Sequence, residues 1–228
     1  MSRKYVFEKI STYQKEENLN GTSIKINHEL PEHIKIEKVI SILRDRIPRT
    51  FFSGIKKIQV EHLKEFDDRE VNALYKDGVL YVTNKQDSMD DLLDDIVHEV
   101  AHHVETKFVE KIYQDGKIKD EFLKKRKQLA FELASEGYDL PPGFKSEIKF
   151  NHEIDMFLYK RVGYRPLRMF GLGIFIRPYA ATSLREYFAV GFETYYLKNS
   201  AEIRDISPVL FNNIHNLHNT VIESEDSW

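Results

Sequence analysis

DDIVHEVAHHVE, residues 94–105, contains the pattern H-E-x-x-H at His98, Glu99 and His102. Residues four apart on a helix share a face, so His98 and His102 can offer two imidazole nitrogens to one ion while Glu99, beside them, reaches a metal-bound water. A chain with these His and Glu frequencies shows the pattern by chance about 0.03 times. The competing reading, two partly exposed helix histidines, therefore carries the smaller weight.

The flanking sequence makes this segment a helix. Ser88 is a capping residue with Asp91 three positions on, and Asp90, Asp91, Asp94 and Asp95 favour the positive end of the helix. Leu93, Val97, Val100, Val104 and Phe108 recur at helical spacing as a buried stripe, which turns His98 and His102 to a neighbouring face. Just upstream, VNALYKDGVLYVTN (71–84) places two β-rich arms around Asp77-Gly78, a hairpin signal. IKKIQVEHL (55–63) reads as a strand. Ile34, Val39, Ile40 and Leu43 fit one face of a helix that runs to Arg46 and is ended by Pro48. Residues 1–30 read as a polar extension that contributes little core.

Downstream of the motif, the pattern predicts a helix from Asp120 to Ser135, a loop DLPPGF at 139–144, and a helix from His152 to Arg161. RMFGLGIFIRPY (168–179), with two glycines, reads as irregular or extended. A helix then starts near Ser183, and Pro208 opens the last one. These elements predict an α+β chain in which residues 31–228 form a single domain. Residues 31–108 supply a small mixed sheet and the motif helix, and residues 109–228 a mainly helical lobe.

Composition narrows the partners. Lys and Arg number 34 against 37 Asp and Glu, without a concentrated basic excess, so a nucleic-acid partner is not expected. Cysteine is absent, which removes thiolate ligands and a cysteine nucleophile, so any zinc has to sit on histidine and carboxylate. No run has signal-peptide or membrane-span character. The expectation is a cytoplasmic protein with no membrane partner, or alternatively an exported or delivered effector.

Catalytic zinc takes three protein ligands and leaves one position open. A third histidine of the kind that extends the motif in some zinc peptidases would fall at 108, where this chain has Phe108 with Glu105 before it. The other solution is a glutamate from a later helix, and TSLREYFAVGFETYYL (182–197) offers Glu186 and Glu193. Ser183-x-x-Glu186 is equally a capping box, in which Glu186 only satisfies a helix start. Spacing alone leaves the two readings even.

The combination of HEVAH with a distant REYFAVGFE resembles zinc peptidases of the anthrax lethal factor catalytic-domain type, which include the small Pro-Pro endopeptidases. The resemblance implies a zincin-like fold, one Zn²⁺ per chain, and Glu186, the first glutamate of Glu186-Tyr187-Phe188-Ala189-Val190-Gly191-Phe192, as the third ligand. It also implies that Tyr179, seven residues before that glutamate, lines the site and helps stabilise an oxyanion. IRDISPVLFNNI (203–214) is similar to the family's closing Ser-Pro turn and helix. The resemblance covers about residues 55–215 in element order, though its specific motifs occupy only some 25 residues. It departs at Val190, where the family often has a second glutamate. Val190 with Glu193 is instead similar to the related Mlc titration factor family, although that family has an aspartate where this chain has Glu105. Both likenesses belong to the gluzincins.

The expected activity is peptide-bond hydrolysis of a protein or peptide substrate. His98, His102 and Glu186 would hold zinc, Glu99 would move the proton, and Tyr179 would donate to the developing oxyanion. The alternative is a binding or sensor protein on the same fold that uses zinc structurally. An extended peptide is expected to add to a sheet edge, placed at Val79–Thr83. His103 lies about 100° round the helix from His102 and reads as a surface or packing residue. Glu193 and Glu105 read as solvated, the alternative being that Glu193 orients a ligand histidine and Glu105 orients His98.

Overall fold

The computed structural model describes residues 15–69 and 71–227. Strands β1 (Lys15–Leu19), β2 (Thr22–Ile26), β3 (Lys57–Val60), β4 (Ala73–Lys76) and β5 (Val79–Val82) form one mixed sheet in the order β1-β2-β3-β5-β4. β1/β2 and β4/β5 are antiparallel hairpins, and β2/β3 and β3/β5 pair in parallel. Both hairpins turn on two consecutive left-handed residues, Asn20-Gly21 and Asp77-Gly78. That backbone matches the twist of the flanking strands, and a short polar residue followed by glycine adopts it at least cost. Alternation fixes which face is covered: Ile58 and Val60 on β3 are buried, while Lys57 and Gln59 are half-buried on the other side.

Two expectations are corrected by this sheet. Residues 15–26 are not a coreless extension, because they supply β1 and β2 and bury Leu19, Ile24 and Ile26. β1 carries Lys15, Glu16 and Glu17 in succession, on both of its faces, and only β2 alternates buried Ile24 and Ile26 with polar neighbours, so average polarity hides the strands. Residues 1–14 of the predicted extension lie outside the described residues. The second correction concerns β5, which is internal, paired with β3 on one side and β4 on the other. The sheet edges are β1 and β4.

The first half also contains α1 (Ile36–Arg46), the short helices α2 (Arg49–Phe52) and α3 (Lys64–Arg69), and α4 (Met89–Lys107), which carries the motif. The Ser88 hydroxyl accepts from the Asp91 N–H, so the predicted cap forms. α4 packs on β4, β5, α1 and α2 through Leu92, Leu93, Ile96, Val97, Val100 and Val104. His103 is a buried packing residue, bonded to the Tyr75 hydroxyl at 2.8 Å and the Ser53 carbonyl at 3.1 Å.

The second half is helical: α5 (Val109–Tyr113), α6 (Lys117–Ser135), α7 (His152–Met156) running into a π-helical segment at Phe157–Val162, α8 (Tyr164–Phe170), α9 (Leu184–Leu197), α10 (Ser200–Ile206) and α11 (Pro208–Glu225). A 3₁₀ turn at Pro178–Ala181 precedes α9. Arg168–Phe170 thus belong to a helix rather than to an irregular stretch. The chain leaves helix only at Gly171, where a side chain would stand 2.8 Å from the Leu167 carbonyl.

α9 lies at the centre of this half and against α4, so it is apolar nearly all round and hides Tyr187, Phe188, Ala189, Val190 and Phe192 together. One apolar core runs through both halves. Glu121 of α6 ties three helices together: it accepts from the Tyr187 hydroxyl at 2.8 Å and from the first free N–H groups of α11, Val209 and Leu210, both at 3.0 Å.

α10 and α11 both press on α9 at Gly191. A Cβ there would stand 2.4 Å from Leu210 Cδ2 and 3.2 Å from Ile203 Cδ1, and both side chains are buried. Gly191→Val is therefore expected to lower unfolding free energy by about 2–3 kcal/mol in urea titration, as overpacking of a filled core does. An unchanged midpoint would mean that the three helices do not pack this closely.

Candidate metal centre

α4 presents His98 and His102 on the face turned toward α9, and the two rings lie edge to face with centroids 4.9 Å apart. The start of α9 brings Glu186 to them. One Glu186 oxygen is 2.9 Å from His98 Nε2 and the other 3.5 Å from His102 Nε2. His98, Glu99 and His102 also bring ligand-type atoms within 4.8 Å of one another. Atoms about 2.1 Å from a tetrahedral ion stand about 3.4 Å apart, and each Glu186 oxygen stands close to that distance from one imidazole nitrogen.

The capping box is only half made. The Ser183 hydroxyl accepts from the Glu186 N–H at 3.2 Å, but the Glu186 carboxylate turns to the imidazoles rather than back to Ser183. Its helix-capping contribution therefore comes from the backbone, which leaves the carboxylate available as a ligand.

The electrostatics are those of a cation site. Burial opposes charge on His98, yet the carboxylates of Glu186 and Glu193 outweigh it and raise its pKa to about 10. Burial likewise opposes charge on His102, which Glu105 and Glu186 nevertheless raise. For Glu186 burial favours the neutral acid, and the two imidazoles overcome it to hold the carboxyl well below the usual carboxylate range. The same nitrogen lone pairs bind protons or metal, so a divalent ion would replace those protons.

Behind the imidazoles stand groups that sequence reasoning undervalued. Glu193, expected to be solvated, is only 2 % exposed. Its carboxylate is 3.7 Å from His98 Nδ1 and ion-paired with Arg177, which also lies 3.9 Å from Asp94. The seven-residue spacing from Glu186 was the available signal, since it sets both acids on one face of α9. Nothing local marked Arg177. Glu105 serves His102 rather than His98, at 3.8 Å from Nδ1, and is held by the Tyr113 hydroxyl at 2.6 Å and by Arg185 at 3.4 Å. The Arg185 Nε–H donates to His102 Nδ1 at 3.0 Å. Ligation through Nε2 would put the ring proton on Nδ1 and transfer that contact to Glu105.

Glu99 and Tyr179 face a cavity of about 380 Å³ that reaches His98. Glu99 has no hydrogen-bond or ion-pair partner among the described residues. The 3₁₀ turn carries Tyr179 over His98, with ring centroids 6.0 Å apart, and its hydroxyl also has no partner among the described residues. Burial first, and Glu186 next, push the Tyr179 phenol far above its ordinary range, so it stays a donor. Opposite them, Val71, Asn72 and Ala73 bring the head of edge strand β4 to the same cavity. Burial also raises Asp95 to about 7 against a bond from Gln86, and burial with Glu193 raises Asp94 to about 6.

Among the described residues no helix is long and apolar enough to cross a membrane. Comparison with protein-family models, curated proteins and solved structures finds no significant match to the chain.

Proposed function

We propose that the chain is a zinc-dependent endopeptidase of gluzincin type, with a zincin-like fold and one zinc held by His98, His102 and Glu186. The observation that carries this reading is the meeting of the Glu186 carboxylate with the Nε2 atoms of His98, 88 residues before it, and His102, 84 residues before it, beside a Glu99 with no partner among the described residues. A structural zinc site uses four protein ligands, whereas the proposed set has three, and its His98 lines a cavity together with Glu99.

Zinc held by these residues would supply a Lewis acid and make a water acidic enough to act as nucleophile near neutral pH. Glu99 takes a proton from the attacking water and hands it to the leaving amine, a role suited to a carboxylate that faces the cavity with no competing bond. The Tyr179 hydroxyl donates to the carbonyl oxygen as charge builds on it. Glu193 would hold His98 by its Nδ1 side; burial opposes its charge, but His98 first and Arg177 next keep its carboxyl below the usual carboxylate range. An extended substrate gains backbone bonds from the outer edge of β4, in place of the internal strand at Val79–Thr83.

Protein purified without added zinc is expected to hold about one zinc per chain and to cut members of a degenerate peptide library. Chelation should abolish cleavage, and zinc should restore it. Zinc binding without cleavage of any peptide would favour a binding or sensor protein over the peptidase, and failure to bind supplied zinc would remove both. Glu193→Gln is expected to weaken zinc about 10- to 100-fold in chelator competition, the usual cost of losing the partner behind a ligand histidine. Unchanged affinity would mean that Glu193 does not orient His98.

A further inference from the structure

The segment between Asp155 and Glu186 breaks the charge balance of the chain. Its thirty residues, 156–185, contain no aspartate or glutamate, but do contain Lys160, Arg161, Arg165, Arg168, Arg177 and Arg185, in a chain whose formal net charge is -3. This segment forms one wall of the candidate site. It also encloses a second cavity of about 310 Å³, lined mainly by apolar side chains including Leu129, Leu167, Phe175 and Ile206. The two cavities share Arg168, Arg177 and Pro178 in their linings, so they meet there.

The two arginines are not equivalent. Arg177 is engaged by Glu193 and Asp94. Arg168 is exposed and has no hydrogen-bond or ion-pair partner among the described residues, although it lines both cavities. Acids on the opposite wall do not satisfy it. Asp94 pairs with Lys198 at 2.8 Å, Glu193 with Arg177, and Asp95 accepts from Gln86 at 2.9 Å. Glu202 is the one acid lining the second cavity, and no bond joins it to Arg168.

We propose that Arg168 and the apolar cavity beside it form a substrate subsite, which selects peptides carrying a carboxylate next to a large apolar side chain on one side of the cleaved bond. This deepens the peptidase reading and rests on it. A guanidinium at the rim of a concave apolar site is a planar donor for a carboxylate, and the cavity beside it receives the neighbouring side chain. The carboxylate has two possible sources, an aspartate or glutamate side chain or a free C-terminus. Exposed Met169 and Leu172 beside these arginines would also suit an anionic membrane surface. Concavity favours a peptide, because a flat bilayer cannot enter the two cavities that Arg168 lines.

The test digests a degenerate peptide library, in amidated and free-acid forms, with zinc-loaded wild type and Arg168→Glu, and reads cut sites by mass spectrometry. Wild type should enrich acidic residues at least fivefold at one position beside an enriched apolar position, and Arg168→Glu should lose that preference and gain lysine or arginine there. Enrichment only in free-acid peptides, at a fixed distance from the end, would assign the carboxylate to the C-terminus.

Binding supplies a second readout. The best acidic peptide, fluorescently labelled, should bind zinc-loaded Glu99→Gln at least tenfold tighter than its Glu→Gln counterpart, and added Arg168→Glu should remove the difference. Cleavage with no acidic preference, or a preference unchanged by Arg168→Glu, would overturn the subsite and leave the peptidase. Arg168-dependent binding to vesicles containing phosphatidylserine, without a peptide preference, would overturn it in favour of a membrane surface. No cleavage and no peptide binding would remove subsite and peptidase together.

Discussion

Glu99→Gln is expected to bind zinc as tightly as wild type and to hydrolyse peptide about 10²- to 10⁴-fold more slowly, the range that one general acid–base group contributes. Glutamine keeps the size of the side chain but cannot accept the proton. Glu99 has no bond among the described residues to lose, so the fold should not change. Glu186→Ala and His98→Ala form the contrasting pair, because each removes a donor from the zinc set and should lose metal and activity together. The α9 cap survives in Glu186→Ala, since Ser183 bonds the backbone N–H of residue 186. Zinc content and circular dichroism measured on all three variants separate the roles. Full activity in Glu99→Gln would end its role as base, and stoichiometric zinc in Glu186→Ala would end the three-ligand site.

Arg126→Ala is expected to lower unfolding free energy by about 3–5 kcal/mol, because it would leave buried carbonyls unpaired at about 1–3 kcal/mol each. Arg126 is wholly buried and has no ion-pair partner among the described residues. It donates to the carbonyls of Ala181 at 2.7 Å, Thr182 at 3.4 Å and Phe144, with its guanidinium 4.3 Å from the Phe144 ring centroid and 5.5 Å from that of Phe122. Burial pulls its pKa down to about 10, with Glu147 opposing. Alanine would leave buried carbonyls unpaired and a cavity beneath the turn that carries Tyr179 and leads to the Ser183 cap. Lysine reaches with a single ammonium and should recover only part of the loss. Urea titration of the two variants checks the order, and a loss below about 1 kcal/mol in Arg126→Ala would mean the carbonyls find other partners.

Legibility differed from residue to residue for physical reasons. The pairing of His98 with His102 was readable because both lie within one turn of a helix whose cap and apolar stripe are local. The Asp77-Gly78 hairpin was readable because the turn requires left-handed backbone at two adjacent residues. Glu186 was half readable: its spacing from Ser183 fitted a cap and a ligand equally, and the resemblance chose between them. β1 and β2 were missed because they are only five residues each and β1 carries three charged residues in succession, so the pair looks polar on average. Glu193 was misjudged because exposure is not a local property, and a glutamate on α9 becomes buried only when α4 covers it with His98.

The sequence by itself determined the motif helix, its cap, the hairpin before it, the start of α9 and the donor types available for a metal. Each of these depends on backbone preference and side-chain period within a few residues. Only the tertiary structure decided that Glu186 meets both imidazoles, that β4 rather than β5 is the open edge, that Glu105 serves His102, and that Arg177 guards Glu193 while Arg168 has no partner among the described residues. Those outcomes depend on which apolar faces bury one another across the chain, because packing against a distant element sets the partners and the exposure of each charged group.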